Sequence, residues 1–116
     1  MSRSNRKRVL VVERHEASRR GLVALLEAED VVVRSCADAR QALVLARTEP
    51  FDALVLDLEV PADRVADLRA IVAARPDARL VWTSCDHPTF DLGAGTLVVK
   101  PIAIDTLLQH LGVVPR

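Results

Sequence analysis

Residues 9–16 read VLVVERHE. Four apolar residues run directly into an acid, a base, a histidine and a second acid. A continuous apolar run of four is strand length, and a strand with no polar alternation is covered on both faces. The run therefore predicts a buried parallel strand over Val9–Val12. Its charged end, Glu13 to Glu16, must lie where the strand leaves the sheet.

Working outward, the same pattern returns four times. Val31–Val33 is β-branched and short. Ala53–Leu56 is apolar and ends at Asp57. Leu80–Trp82 and Thr96–Val99 are the last two runs. Between them lie segments of helical spacing. Glu16–Ala28 places Leu22, Leu25 and Leu26 on one face. Ala37–Thr48 carries Ala39, Ala42, Leu43 and Ala46 as an inner stripe, and Glu49-Pro50 stops it. Ala62–Ala74 repeats through Val65, Leu68 and Val72, and Arg75-Pro76 ends it. Ile104–Leu111 turns Leu107, Leu108 and Leu111 inward, with Gly112 suited to its C-terminus. Asp86–Leu92 is ambiguous and has room only for a short helix. Buried strands alternating with amphipathic helices imply an α/β fold. Its architecture is a doubly wound (βα)5 three-layer sandwich on a parallel five-stranded sheet, with the fourth helix shortened or absent.

Composition narrows the function classes. A chain of 116 residues, half of them hydrophobic, suits one compact domain. Net charge is zero, so no global field draws it to nucleic acid or membrane. One Trp, two Phe and no Tyr make a base-stacking surface improbable. Cys36 and Cys85 match no disulfide framework or zinc spacing and read as reduced thiols of a cytoplasmic protein. No signal peptide or membrane span is expected. Residues 1–7 read as a disordered basic tail, with the domain spanning 8–116. Fourteen Arg against two Lys suggest a coding bias toward arginine, under which Lys100 stands out within the domain.

In open α/β sheets ligands bind beyond the carboxyl ends of the strands. Strand one ends at Glu13-Arg14, strand three at Asp57, strand four at Thr83-Ser84 and strand five at Lys100-Pro101. An acid, a hydroxyl and a lysine at one edge suggest phosphoryl chemistry. A carboxylate can attack phosphorus, and an ammonium and a hydroxyl can hold phosphoryl oxygens. The plain alternatives are a helix-capping Asp, a strand Thr and a solvated Lys. Their joint placement favours the functional reading. His15 and Glu16 read as the start of the first helix. Cys85-Asp86-His87 lacks a second pair of metal ligands.

The runs VLVVE (9–13), LVLDLEVP (54–61), VWTS (81–84) and VVKP (98–101) resemble the receiver domain of bacterial two-component response regulators, of the single-domain chemotaxis type, over about residues 8–112. The resemblance implies a sheet of order 2-1-3-4-5 and a phosphorelay role, with a histidine kinase or phosphotransfer protein as donor and an unknown downstream protein as target. It implies no enzyme activity beyond gain and loss of phosphoryl on Asp57. Asp57 would be the phosphoacceptor, Thr83 the switch hydroxyl, and Lys100 the partner of acceptor and phosphoryl oxygens. The Lys100-Pro101 bond would be cis. Mg²⁺ would be held by Glu13, Asp57 and the Glu59 backbone carbonyl. Four departures stand out. Arg14 replaces a second acid and modifies the pocket, weakening Mg²⁺ or taking its place beside Asp57 or Glu13. Val65 replaces a glycine. Leu97 occupies the aromatic switch position. The stretch from Thr83 to Lys100 is short. These favour the alternative of a pseudo-receiver, a protein-interaction module independent of phosphorylation. A phosphohydrolase using Asp57 and Glu59 would need that pair after the first strand.

Overall fold

The computed structural model describes residues 6–86 and 93–114. Most of the basic tail, and residues 87–92 of the short helix expected over Asp86–Leu92, therefore lie outside the described residues, His87 among them. Five strands form one sheet: β1 (Arg8–Val12), β2 (Val32–Cys36), β3 (Ala53–Asp57), β4 (Arg79–Ser84) and β5 (Thr96–Val99). All pairings are parallel and the order is β2-β1-β3-β4-β5. Among the described residues four α-helices cover it: α1 (Glu16–Glu27), α2 (Ala39–Thr48), α3 (Val65–Ala74) and α4 (Ile104–Leu111).

Side chains alternate across a strand, and here the alternation sorts two cores. Val9, Val11, Ala53, Val55, Val81 and Val98 face Leu22 and Leu26 of α1 and Leu107, Leu108 and Leu111 of α4. Leu10, Val12, Leu54, Leu56 and Trp82 face Ala42, Leu43 and Ala46 of α2 and Leu68 and Ile71 of α3. The small side chains of α2 let that helix lie close to β1, and α2 starts where the Asp38 carboxylate caps the Arg40 N–H at 3.1 Å.

The structure corrects several boundaries. β2 runs on to Cys36 because all of β1 pairs with it, Arg8 to Val32 through Val12 to Cys36. As an edge strand it tolerates the exposed Arg34 and Ser35. β4 extends to Ser84, so Thr83 sits inside the ladder opposite Asp57. A 3₁₀ turn over Ala62–Arg64 precedes α3. Leu25 does not face the core: it is 49% exposed, because Leu22 and Leu26, four apart, already fill the stripe over the sheet. Val65 is 39% exposed at the rim of α3, and Ile71 joins Leu68 as the inner stripe, with Val72 partly buried.

α4 ends at Gly112, in the left-handed region at φ 72°. A β-carbon there would come within 2.8 Å of the Arg79 guanidinium arm. Gly112→Ala should cost about 1–2 kcal/mol from backbone strain alone, read as a lowered urea midpoint at unchanged m-value. The Arg79 arm is flexible and adds little.

Candidate functional site

Glu13 continues the odd register of Val9 and Val11. Asp57 continues that of Ala53 and Val55, Thr83 that of Val81, and Lys100 follows Val98 by two. Period-2 alternation thus brings all four to the same core face at the carboxyl end of the sheet. Three are almost fully covered: Glu13 is 4% exposed, Asp57 1% and Thr83 2%.

The Lys100 ammonium sits between the two acids. It donates to Glu13 Oε1 at 2.6 Å and to Asp57 Oδ2 at 3.0 Å. The second oxygen of each acid takes a backbone donor: Glu13 Oε2 accepts the His15 N–H at 2.9 Å, and Asp57 Oδ1 accepts the Glu59 N–H at 3.1 Å. Burial without these donors would be costly, and with them the cluster is satisfied. The Lys100-Pro101 peptide is cis, and the Lys100 N–H binds the Ser84 carbonyl at 2.8 Å.

The two acids are pushed in opposite directions. Burial opposes the charge on Glu13, but Lys100 and the His15 N–H outweigh it and hold the carboxyl below its ordinary value. Deeper burial, reinforced by the neighbouring Glu13 charge, pushes Asp57 up despite Glu59 and Lys100. Burial also disfavours the Lys100 cation, but its two acid partners prevail and raise it. Acids pushed apart around one shared cation differ from a surface ion pair, and such shifts occur both at functional sites and in structural ion-pair networks.

The other expected residues fall as follows. Arg14 is exposed and pairs with neither Glu13 nor Asp57. It lines a crevice of about 250 Å³ with Asp38, Val60, Pro61 and Arg64. Leu97 packs partly buried against the α2–α3 core. Cys36 and Cys85 are free thiols. Two contributors escaped the sequence reading. The Glu59 carboxylate accepts the Cys85 N–H at 3.0 Å, tying the loop after β3 to the end of β4. Arg19 reaches back from α1 to the carbonyls of Glu13 and Arg14 at 3.0 and 3.4 Å, fixing the loop after β1. Its spacing five or six residues after the loop was the available signal. On the Lys100 side a groove of about 320 Å³ opens past Ala17, Gly21, Leu25 and Ile104.

A doubly wound five-stranded sheet with two acids, a buried threonine and a lysine at its carboxyl edge defines a class, and comparison with known proteins agrees. The chain belongs to the response regulator receiver domain family, which it matches over residues 9–112. It is 41% identical over 113 residues to protein-glutamate methylesterase/protein-glutamine glutaminase 6 of Anaeromyxobacter dehalogenans, covering 87% of this chain and 32% of that protein. The chain thus spans about a third of that relative's length. Among solved structures it resembles a CheY-like response regulator receiver domain protein of Methanospirillum hungatei, with a TM-score of 0.83 and 23% identity over 93% of this chain and 92% of that one. It also resembles a response regulator of Burkholderia pseudomallei solved with a phosphorylated aspartic acid, calcium ion and citrate. That pair has a TM-score of 0.81 and 25% identity over 90% of this chain and 66% of that one. Among the described residues no helix is long and apolar enough to cross a membrane.

The family implies Mg²⁺, which needs oxygen ligands near 2.0–2.1 Å in octahedral array. The donors here do not fit it. Among the described residues only two side-chain acids, Glu13 and Asp57, face Lys100, and each of their oxygens already shares its lone pairs with one hydrogen-bond donor. The next residue, Arg14, supplies a guanidinium and no ligand oxygen. No group of three or more acid, His or Cys side chains is placed to hold a metal among the described residues.

Proposed function

We propose that the chain is a working receiver: Asp57 accepts a phosphoryl group from a histidine kinase or phosphotransfer protein, and the altered surface signals through protein–protein contacts. The observation that carries this is the Lys100 ammonium held between Glu13 and Asp57 at 2.6 and 3.0 Å. A partly buried cation beside a buried acid is poised to stabilise charge that develops on a transferring phosphoryl group. Thr83, opposite Asp57 on the neighbouring strand, is the hydroxyl within one strand spacing of the acceptor. The groove beside α1 gives a donor side chain a route to the site.

Incubation with acetyl phosphate followed by intact-mass measurement tests this reading. One added phosphoryl group is expected, and none on Asp57→Asn. Because Asp57 keeps its proton to higher pH than an ordinary aspartate, the rate should fall on acidification earlier than a free carboxylate would predict. Arg14 in place of an acid supports a second reading, the phosphorylation-independent interaction module. That reading gains if neither acetyl phosphate nor a kinase labels the chain under any cation condition.

A further inference from the structure

The charge count at the carboxyl edge is unusual. Glu13 and Asp57 bring two negative charges, Lys100 and Arg14 two positive, so the four sum to zero with no metal. The third nearby acid, Glu59, adds one negative charge but turns it to the Cys85 amide. A site this close to neutral has little to attract a divalent cation, and a guanidinium beside it repels one.

Arg14 is also unengaged among the described residues. It shares its crevice with Asp38, but Asp38 Oδ1 is already held by Arg64 at 3.0 Å and by the Arg40 N–H at 3.1 Å. β1 pairs with β3 up to Val12 opposite Leu56, so Asp57 is one residue past that rung and Arg14 two. One strand spacing and one residue rise separate their backbones, on the order of 6 Å, which an arginine arm spans. Lys100 reaches Asp57 on the α1 side of the sheet, its ammonium shared with Glu13. Arg14 stands on the α2 side, by Asp38, Val60 and Pro61.

From this placement we infer that Asp57 takes its phosphoryl group without a metal, Arg14 swinging from the rim onto the phosphoryl oxygens as the second cation opposite Lys100. The inference rests on the receiver reading above. An Asp57 carboxylate oxygen forms the new P–O bond as the bond from phosphorus to the leaving oxygen breaks. With acetyl phosphate, acetate departs with the electron pair and no proton moves. The product exchanges the Asp57 charge for a dianionic phosphoryl group, which Lys100 alone cannot offset. A planar guanidinium suits that group, since it can donate to two phosphoryl oxygens at once.

The test is acetyl phosphate labelling of the full chain, followed by intact mass, in excess chelator and again in excess Mg²⁺. Wild type is expected to label in chelator within about threefold of its rate in Mg²⁺. Arg14→Ala should lose on the order of a hundredfold in chelator, the lower end of the scale for losing one donor to developing charge. Arg14→Asp should be silent in chelator and regain labelling with Mg²⁺. Calorimetric Mg²⁺ titration is the second readout: Arg14→Asp should bind and wild type should not. A tenfold or greater need for Mg²⁺ in wild type, or an unchanged Arg14→Ala in chelator, overturns the inference and leaves the receiver reading standing. Absence of labelling on Asp57 in both conditions and from a kinase removes both.

Discussion

Lys100→Met is expected to destabilise the protein by about 3 kcal/mol near pH 7, and to do so almost entirely through the two acids it abandons. The side chains of Glu13 and Asp57 are 5% and 1% exposed, and that of Lys100 only 17%. Removing one member of a buried charge cluster costs about 3–5 kcal/mol because the remaining charge has no partner. Proton uptake by Asp57, already pushed up by burial, caps the loss at the lower end. The sign follows directly. Without the ammonium both acids have folded pKa values above their unfolded ones, so the folded state binds more protons and stability falls as pH rises. The penalty should therefore be largest near neutrality and small below about pH 4, where the unfolded chain is protonated too. In the native protein Lys100 has a raised pKa, so its contribution is complete below its ordinary 10.5 and is lost as pH climbs through the folded value. Glu13, held low, adds stability above its ordinary 4.5 and loses it on acidification. Asp57 works in the opposite sense, so the native acid limb is shallow. Urea unfolding of Lys100→Met and Lys100→Met/Glu13→Gln across pH measures this. The double variant should recover about 2 kcal/mol near neutrality. A loss of stability independent of pH would mean that the lysine stem, not its charge, holds the site.

Much of this was readable in the residues, and what was not has a common cause. Continuous apolar runs marked the five strands, and the residue just past four of those runs is Glu13, Asp57, Thr83 or Lys100, because strand ends are local features. The pairing of Lys100 with both acids is between residues 43 and 87 apart in sequence, and no local pattern reports it. Helix faces were legible where spacing was unambiguous, as in α2. They misled where three leucines competed for a stripe two wide, as with Leu25. β2 was read too short because Arg34 and Ser35 look like a loop, although an edge strand can carry them. Arg14 was legible as a chemical departure. Its place beside Val60 and Pro61, unpaired with Asp57 and Glu13, brings together residues more than 40 apart in sequence, and no local pattern reports that.

Gly95→Ala should cost about 3 kcal/mol although it adds a single methyl group. Gly95 sits at φ 96°, where an L side chain is strained by about 1–2 kcal/mol. Its missing β-carbon would lie 2.8 Å from Leu80 Cγ, 3.0 Å from the Leu80 carbonyl oxygen and 3.0 Å from Trp82 Nε1. Leu80 can shift its side chain, but the carbonyl belongs to β4 and cannot yield without disturbing the ladder to β3. The chain before β5 must move instead. That displaces the Ala94 carbonyl, which accepts the Trp82 indole N–H at 3.0 Å, and leaves a buried donor unmatched at about 1–3 kcal/mol if nothing replaces it. Trp82 is the single tryptophan of the chain and is 6% exposed, so its fluorescence reports the event directly. The expected result is a lowered melting temperature together with emission shifted to longer wavelength in the native state. Trp82→Phe separates the contributions: without an indole N–H, Gly95→Ala should lose only the strain and contact part. Because β5 delivers Lys100 four residues past its start at Thr96, a shifted β5 should also loosen the ammonium from Glu13 and Asp57. Gly95→Ala should then slow acetyl phosphate labelling of Asp57, although residue 95 touches neither acid. An unchanged labelling rate with lowered stability would show that the cis Lys100-Pro101 segment and the Ser84 carbonyl, rather than the lead into β5, set the position of the lysine.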